Sequence, residues 1–306
     1  MTTAATASVA LERRLRGAVA DVRRDAPLAR HVAFRIGGPT DVLVIPRSLA
    51  ELRAAMTVLW GEGIQSVILG QGSNVVISDR GIRGVVVKIG KGVDHIIIDE
   101  ARVVAEAGAG LPALALRTAK RGLAGLEFAA GIPASVGGAV VMNAGAHGHA
   151  MSDVVERVEV LTPEGERILD HIALGFDYRA SVLQDRPWVV ATVTLGLQPG
   201  DATELRARLE TWLAHRGATQ PIGPPSSGCI FKNPPGDHAG RLIDLIGAKG
   251  SSVGGARVSD VHANYVINEG SATAADVLRL AEQVRARVQD ARGITLELEV
   301  KLLGEF

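Results

Sequence analysis

Apolar residues recur with the period of an α-helix in five stretches of the chain. One of these stretches begins at Ser48, where Leu49, Leu52, Met56 and Leu59 lie on one stripe. Ser48 and Glu51 have the spacing of a capping box, in which each side chain accepts a hydrogen bond from the other residue's backbone N–H. The helices predicted from this period are Ser48–Gly61, Leu111–Arg121, Ala202–His215, Arg241–Gly247 and Thr273–Arg292.

Short runs rich in β-branched residues lie between these helices and predict strands. A turn signal, Pro163 to Gly165, separates two of the runs and indicates a hairpin. Because strands and helices are mixed without a regular βα alternation, the predicted fold class is α+β. The predicted strands are Ser66–Leu69, Val75–Ile77, Val85–Ile89, Ile96–Ile98, Val103–Val104, Val158–Leu161, Arg167–Leu169, Val189–Leu197 and Ile294–Leu302.

The last of these runs has strict alternation of apolar and polar residues. Glu297, Glu299 and Lys301 fall on the polar side, with alternate residues about 7 Å apart. This row of charges is typical of a solvated sheet face, and it would also suit a charged site. Alternation alone does not choose between the two carboxylates.

The pattern changes near residue 200 and indicates a second domain. The predicted helix Ala202–His215 is followed by the proline-rich segment Pro221–Pro225, which cannot continue a helix. We therefore predict a first domain over residues 1–200, with two lobes that divide near residue 65, and a second domain over residues 201–306.

Composition excludes several classes of partner. The 306 residues contain 33 Lys plus Arg and 33 Asp plus Glu, so no net field would hold a nucleic acid or an anionic membrane surface. Met1–Gly17 has no apolar run of signal-peptide length, and a single cysteine, Cys229, allows no internal disulfide. The uncharged stretch Phe128–Ser152 contains five glycines and would insert poorly into a membrane. We expect a cytoplasmic protein.

Common nucleotide and metal motifs are missing from the sequence. The loop Gly70–Asn74 is not the Rossmann fingerprint, and no phosphate-binding loop ends in Gly-Lys-Ser or Gly-Lys-Thr. His147 and His149 lie two residues apart without a cysteine partner nearby, so we expect no metal site. Gly70–Asn74 and Gly131–Gly138 remain as glycine-rich segments whose backbone N–H groups could hold a diphosphate.

Seven segments in a fixed order give the chain a specific resemblance. From about Arg35 to Gly304, it resembles the UDP-N-acetylenolpyruvoylglucosamine reductase (MurB) family of peptidoglycan precursor synthesis. The segments are Phe34–Pro39, Leu69–Asn74, Ala130–Gly138 with Met142–Gly145, Tyr178–Arg179, Ser227–Pro234, Val253–Ala256 with His262–Asn264, and Leu296–Val300.

The resemblance implies a two-lobed FAD-binding domain of the vanillyl-alcohol-oxidase-like (PCMH) type, followed by an α+β substrate-binding domain. FAD would be held noncovalently, so His147 and His149 would be loop residues. The short chain is similar to the subclass that lacks an extra substrate-covering loop. The cofactor-binding residues carried over are Arg35, Gly37, Gly70, Gln71, Gly72, Ser73, Asn74, Gly131, Ile132, Pro133, Ser135, Gly137, Gly138, Asn143 and Gly145.

The family's reaction implies roles for three further side chains. NADPH would reduce FAD, and hydride would then pass to the terminal carbon of the enolpyruvyl group of a UDP-sugar. Arg179 would stabilise the charge that develops at the substrate carboxylate, Glu299 would be the catalytic glutamate, and Cys229 would protonate the adjacent carbon. Many members carry serine at the position of Cys229. Substrate contacts would come from Tyr178, Arg216, Lys232 and Asn233, in a protein expected to be a monomer, with a dimer also open.

Two other functions remain open from the sequence. The first is another oxidoreductase on the same FAD fold, such as a hydroxy-acid or alcohol oxidase, which would need neither NADPH nor the set Arg179, Cys229 and Glu299. The second is a noncatalytic UDP-sugar-binding protein that has lost its flavin. The intact glycine loops argue against the second function.

Overall fold

The computed structural model describes residues 9–306. Residues 1–8, on which the prediction about secretion partly depends, lie outside the described residues. The helices are α1 (Val9–Ala18), α2 (Leu49–Gly61), α3 (Leu111–Lys120), α4 (Val136–Val141), α5 (Ala202–Thr219), α6 (Ala239–Leu245) and α7 (Ala274–Arg292). Short 3-10 segments cover Leu28–His31, Glu127–Gly131, Met151–Asp153 and Val182–Asp185.

The strands are mostly short. They are β1 (Val22–Pro27), β2 (Pro39–Val44), β3 (Ser66–Leu69), β4 (Val75–Ile77), β5 (Ile82–Lys88), β6 (Ile96–Asp99), β7 (Arg102–Glu106), β8 (Leu123–Ala124), β9 (Gly145–Ala146), β10 (His149–Ala150), β11 (Val155–Thr162), β12 (Gly165–Asp170), β13 (Val189–Gly196), β14 (Gln198–Pro199), β15 (Ser226–Cys229), β16 (Ser252–Val253), β17 (Ala256–Val258), β18 (Tyr265–Asn268) and β19 (Lys301–Leu303).

The chain forms two compact units, and neither is continuous in sequence. Unit 1 contains the described residues up to Arg24, then Asp41–Gln71 and Gly84–His215. Unit 2 contains Asp25–Thr40, Gly72–Arg83 and Arg216–Phe306. The predicted division into an FAD-binding domain over residues 1–200 and a substrate-binding domain over residues 201–306 stays a prediction.

Unit 1 contains an antiparallel sheet with the strand order β12-β11-β13-β7-β6. The predicted hairpin is confirmed, because β11 and β12 pair on either side of Pro163. A second sheet has the order β1-β2-β5-β3, with β3 and β5 parallel. In α2, Leu52, Met56 and Leu59 are buried in the core of unit 1, so the apolar stripe predicts the packed face correctly.

The predicted capping box of α2 is half correct. Ser48 is the N-cap, and its hydroxyl accepts a hydrogen bond from the N–H of Glu51 at 3.1 Å. The Glu51 carboxylate instead accepts from the N–H of Arg47 at 2.8 Å. The helix nevertheless starts where the sequence indicates, because the bond to the Ser48 hydroxyl is enough to satisfy the terminal N–H of Glu51.

Unit 2 contains an antiparallel sheet with the order β15-β18-β17-β16 and the long helix α7. A capping box between Thr273 and Asp276 begins this helix, and Gly293 ends it with φ 68°. Val277, Leu280 and neighbouring apolar residues of α7 are buried in the core of unit 2. β19 pairs in parallel with β4, which brings the end of the chain to a strand more than 200 residues earlier.

The predicted strand Ile294–Leu302 is wrong over most of its length. Only Lys301–Leu303 forms a strand, and residues 294–300 contain a single bridge, between Leu298 and Phe231. Burial still alternates for Leu296 and Val300, so the apolar pattern reflects packing on the core. A ladder needs a neighbouring strand along its whole length, which alternation does not guarantee.

The uncharged stretch Phe128–Ser152 forms turns, two-residue strands and the six-residue helix α4. This agrees with the expectation that its glycines prevent a continuous helix. Among residues 9–306, no helix is both long and apolar enough to cross a membrane.

Candidate functional site

The loop Gly70–Asn74 follows β3 directly. Within the part of the chain that the structure describes, none of its backbone N–H groups donates a hydrogen bond. A Cβ atom added to Gly70 would lie 2.5 Å from Oγ of Ser135, so no side chain fits there. A run of unused amide donors next to a glycine fits a bound diphosphate.

The segment Gly131–Gly138 differs from that loop, because most of its N–H groups are used inside the chain. The N–H of Gly137 donates to the carbonyl oxygen of Ala107 at 2.9 Å, and a Cβ atom at Gly137 would lie 2.8 Å from Cβ of Ala107. Ser135 accepts from the N–H of Gly138 at 3.4 Å and caps α4. Glycine here permits close backbone packing. Direct FAD contacts from Gly131, Ile132, Pro133, Ser135, Gly137 and Gly138 stay a prediction.

Three predicted site residues have left-handed backbone conformations. Arg35 and Arg179 both have φ 55°, and Asn143 has φ 41°. A left-handed conformation costs a residue with a side chain about 1–2 kcal/mol, although asparagine tolerates it better than arginine. Such strain persists where the surroundings hold it and is concentrated at functional sites. Asp25, Glu100 and His147 share this conformation without a predicted role, so the functional roles of Arg35, Asn143 and Arg179 stay predictions.

Arg35 lies in a tightly packed segment of unit 2. Its N–H donates to the carbonyl oxygen of Val32 at 3.2 Å, and a Cβ atom at Gly72 would lie 2.8 Å from Cα of the same valine. Gly37 has φ 128°, and a Cβ atom there would lie 2.6 Å from Cβ of Ile77. Gly37 and Gly72 are therefore required by packing, whether or not they also contact FAD.

Arg179 and Tyr178 form a tight turn in unit 1. The turn is closed by hydrogen bonds between Asp177 and Ala180. Nη2 of Arg179 donates to the carbonyl oxygen of Gly145 at 3.0 Å, and its guanidinium lies 5.2 Å from the centre of the Tyr178 ring. The arginine side chain is thus held at two points, as a group that stabilises developing charge should be.

Asn143 connects this turn to the glycine-rich stretch before it. Its side-chain amide donates to the carbonyl oxygen of Asp177 at 3.0 Å, and its amide oxygen accepts from the N–H of Ser152 at 2.9 Å. Gly145 follows closely, and a Cβ atom there would lie 2.3 Å from the carbonyl oxygen of His149. Asn143 is 5% exposed, so its predicted contact with FAD would come at most from a small part of its surface.

Cys229 ends β15 in unit 2 and is partly buried. Its partner across the sheet is Tyr265, and the register shifts between Ser226 and Cys229. Gly228 lies in this shift with φ 78°. The irregularity is a β-bulge, a feature that often re-aims a side chain near an active site.

Tyr265 of unit 2 lies close enough to three charged or titratable groups for them to shift its pKa. Its hydroxyl donates to Oε1 of Gln220 at 2.7 Å, and its side chain is buried. Burial raises the pKa of Tyr265, and the nearby Cys229 and Glu299 raise it further while Arg216 lowers it. Cys229, Glu299 and Arg216, which are far apart in sequence, therefore lie near one tyrosine.

The structure separates the two glutamates that alternation left equivalent. The Glu297 side chain is 75% exposed, and its carboxylate lies 3.4 Å from the ammonium of Lys232. Glu299 is partly buried, and its carbonyl oxygen accepts a hydrogen bond from the Asn74 side chain at 3.2 Å. Glu297 is thus a solvated ion-pair partner. The backbone of Glu299 is hydrogen-bonded to Asn74, in the loop that is predicted to bind FAD.

The predicted substrate contacts have mixed surroundings. Lys232 is 38% exposed, which leaves its ammonium accessible despite the pair with Glu297. Asn233 accepts a hydrogen bond from the N–H of Ala239 at 3.0 Å, at the start of α6. This bond is a structural role that the sequence did not indicate, and substrate contacts from both residues stay predictions.

The two loop histidines pack against an aromatic residue. The ring of His147 stacks on Trp212 with a centroid distance of 4.7 Å, and His149 lies 3.1 Å from the carboxylate of Asp153. Across residues 9–306, no group of three or more histidine, cysteine, aspartate or glutamate residues could hold a metal ion.

Sequence reasoning missed three residues that the structure places at these sites. Lys88 donates a hydrogen bond to the carbonyl oxygen of Gly70, Gln184 contacts the Arg179 turn, and Tyr265 lies opposite Cys229. Lys88 lies inside the predicted apolar strand Val85–Ile89, and a lysine inside such a run is a weak signal of a partly buried charge. Nothing in the sequence distinguishes Gln184 or Tyr265 from ordinary packed residues.

Comparison with known proteins identifies both parts of the chain. The family profile of an FAD binding domain matches residues 40–169, and that of the UDP-N-acetylenolpyruvoylglucosamine reductase C-terminal domain matches residues 220–303. The reductase of Moorella thermoacetica is 48% identical over 93% of this chain and 94% of its own length. The reductase of Caldanaerobacter subterraneus is 44% identical over 91% of this chain and 92% of its own.

Solved structures agree with these matches. The crystal structure of the reductase (MurB) from Thermus caldophilus matches with a TM-score of 0.80 and 37% sequence identity. The match covers 92% of this chain and 99% of the Thermus caldophilus chain. The predicted two-domain α+β fold and the FAD-binding domain are confirmed. The chain therefore belongs to the UDP-N-acetylenolpyruvoylglucosamine reductase family of FAD-binding oxidoreductases.

Proposed function

We propose that this protein reduces UDP-N-acetylglucosamine enolpyruvate to UDP-N-acetylmuramate with electrons from NADPH. The reaction would take place in the cytoplasm, as a step of peptidoglycan precursor synthesis. The observation that carries the proposal is the pairing of Cys229 with Tyr265 across the sheet, where Glu299 and Arg216 also act electrostatically on this tyrosine. The group combines a thiol, a carboxylate and a guanidinium, which suits protonation of a carbon next to an anionic group.

When bound, FAD would carry hydride from NADPH to the terminal carbon of the enolpyruvyl group. The unused N–H groups of Gly70–Asn74 would hold its diphosphate, and Asn74 would fix that loop to the segment that carries Glu299. Residues 1–200 would supply the FAD site, with lobes dividing near residue 65, and residues 201–306 most of the substrate site. The protein would act as a monomer, with a dimer still open.

Arg179 and Cys229 would act at the two ends of the reacting group. As hydride arrives at the terminal carbon, charge develops towards the substrate carboxylate, where the fixed Arg179 guanidinium would stabilise it. The thiol of Cys229 would then give its proton to the adjacent carbon, which completes the addition of hydride and proton across the double bond. An ordinary thiol has a pKa of about 8.5, so it is a much better proton donor than an alcohol.

Lys232, with Tyr178, Arg216 and Asn233, would contact the UDP-sugar. Lys232 and Arg216 are cations that suit the substrate diphosphate, and Tyr178 is 49% exposed and offers an aromatic face. The exposed pair with Glu297 would be exchanged for the diphosphate when substrate binds, which is inexpensive for a solvated ion pair.

The experiment is a two-step anaerobic stopped-flow measurement on FAD-loaded protein. NADPH should bleach the flavin absorbance, and addition of UDP-N-acetylglucosamine enolpyruvate should restore it. Bleaching without reoxidation by this substrate would contradict the proposal. Reoxidation by oxygen together with oxidation of a hydroxy acid or alcohol would favour the oxidase alternative.

Variants of Cys229 test the proton donor separately. Cys229→Ala should leave reduction by NADPH unchanged and slow only the step after hydride transfer, and Cys229→Ser should recover much of the loss. A structural cysteine should show the opposite order, because alanine suits a partly apolar position better than a hydroxyl that needs a partner. Near-normal turnover of Cys229→Ala would remove the thiol from the mechanism.

A further inference from the structure

The backbone of Arg179 is held in a conformation that arginine rarely adopts. Its φ of 55° lies in the left-handed region, where an L residue with a Cβ atom is strained. Strain of this kind persists only when neighbouring groups fix the backbone on more than one side. The turn hydrogen bonds between Asp177 and Ala180 close the loop around Arg179 but do not attach it to the rest of unit 1.

Asn143 attaches the turn at the carbonyl oxygen of Asp177, and the side chain of Gln184 attaches it at Arg179 itself. Nε2 of Gln184 donates to the carbonyl oxygen of Arg179 at 2.8 Å and to the carbonyl oxygen of Val141 at 3.1 Å. Ser181 adds a bond from its hydroxyl to the same Val141 oxygen at 2.7 Å. Val141 is the last residue of α4, so the Gln184 amide and the Ser181 hydroxyl both tie this region to the end of the helix, and the Gln184 amide alone also bonds to the backbone of Arg179.

The arginine side chain is attached to the chain that follows the same helix. Its Nη2 donates to the carbonyl oxygen of Gly145, at the start of β9. The backbone and the guanidinium of Arg179 are therefore both fixed to the segment 141–145. A long side chain amplifies a small rotation of its backbone, so loss of the Gln184 amide bonds would displace the guanidinium and break its bond to Gly145.

We propose that Gln184 is a positioning residue, whose side-chain amide holds the Arg179 turn so that the guanidinium meets the substrate carboxylate in one orientation. This proposal rests on the proposed function of Arg179. Displacing a catalytic group by about 1 Å can reduce a rate about 100-fold, and deleting a donor that stabilises charge reduces it ~10²–10³-fold. Gln184 should therefore matter, but less than Arg179.

The test replaces Gln184 by methionine, which has a similar length but no donor. Gln184→Met should slow reoxidation of the reduced flavin by the UDP-enolpyruvyl sugar about 10-fold to 100-fold. Reduction by NADPH and the content of bound FAD should stay at the wild-type level. Gln65→Met is the matched control, because Gln65 is an exposed residue of unit 1, and it should leave both steps unchanged.

A double-mutant cycle distinguishes positioning from general damage to the fold. In the Arg179→Ala background, Gln184→Met should add no further loss, because the group that it positions is already missing. A normal reoxidation rate in Gln184→Met would overturn the proposal. Full additivity of the two substitutions would also overturn it, since the glutamine would then act independently of Arg179.

A crystal structure of Gln184→Met supplies a readout that does not depend on turnover. We expect Arg179 to leave the left-handed region and its bond to Gly145 to be lost, and an unchanged Arg179 would overturn the proposal. If the wild-type protein is not reoxidised by the UDP-sugar, the proposed function fails. The crystal structure still decides whether Gln184 holds the turn.

Discussion

The partly buried ammonium of Lys88 should make the stability of this protein depend on pH in a defined way. Lys88 ends β5 in unit 1, and its ammonium donates a hydrogen bond to the carbonyl oxygen of Gly70. Burial lowers the pKa of Lys88 from 10.5 to about 8. Among the described residues, no carboxylate forms an ion pair with it that would offset this burial.

The size of the effect follows from the displacement of the pKa. At about 1.4 kcal/mol per pKa unit, a fall from 10.5 to about 8 corresponds to about 3 kcal/mol. The charged lysine destabilises the folded protein by this amount below pH 8. Between pH 8 and 10.5 the unfolded chain binds more protons than the folded chain, so stability rises with pH. Above pH 10.5 the lysine is neutral in both states and the penalty disappears.

Lys88→Met removes the titration while keeping a side chain of similar length. It also removes the hydrogen bond to Gly70, whose loss costs about 1–3 kcal/mol, and the weakening of this bond as the ammonium loses its proton is already contained in the pKa of Lys88. The net stability change at one pH therefore mixes two opposing effects. The pH dependence of the difference in unfolding free energy between wild type and variant reports only the titration of Lys88. From pH 7 to pH 10.5, the wild type should gain about 3 kcal/mol of stability relative to the variant.

The assay is urea unfolding of FAD-free wild-type and Lys88→Met protein at a series of pH values. Lys91→Met is the control, because Lys91 is exposed and its loss changes the net charge equally. The wild type minus Lys91→Met difference should not change with pH in this way. A wild type minus Lys88→Met difference that stays constant from pH 7 to pH 10.5 would refute the reasoning, because Lys88 would then be solvated in the folded protein.

Three further outcomes are expected. The purified protein should contain one FAD per chain that acid precipitation releases, and flavin that stays attached would favour an oxidase. Glu299→Gln should slow flavin reoxidation ~10²–10³-fold while Glu297→Gln has little effect, and the reverse order in stopped flow would show that the wrong acid was chosen. Asp79→Ala should lower the free energy of unfolding by about 1 kcal/mol in urea titrations, because its carboxylate accepts from the first two N–H groups of α7, at Ala274 and Ala275, and an unchanged midpoint would contradict this capping role.

Local structure was predictable wherever a few neighbouring residues determine it. The strands Ser66–Leu69 and Val75–Ile77 begin and end at the predicted residues, because each is a short β-branched run bounded by polar or glycine residues. The start of α7 follows from its capping box, and the end from Gly293. These features depend on contacts within a few positions, which a sequence pattern can represent.

Features that depend on distant partners were not predictable. Residues 294–300 alternate like a strand, but only Leu298 has a bridge partner, because no continuous strand lies beside the segment. The different surroundings of Glu297 and Glu299 arise from Lys232 and Asn74, which are 65 and 225 positions away in sequence. Discontinuous units also leave no boundary in the composition, because Asp25–Thr40 and Gly72–Arg83 join unit 2 only through the fold.

The left-handed conformations of Arg35 and Arg179 show a further limit on prediction from sequence. A sequence with arginine at positions 35 and 179 gives no local reason for positive φ, since arginine favours the helical and extended regions. Glycine would relieve the strain at both positions but would remove the guanidinium. The presence of arginine at a strained position is consistent with a requirement for its side chain, and the hydrogen bonds around Arg179 support that requirement. By the same reasoning, the energy that holds Arg179 in place must come from neighbours such as Gln184, so the residues that support a strained catalytic group should be as sensitive to substitution as many residues that touch the substrate.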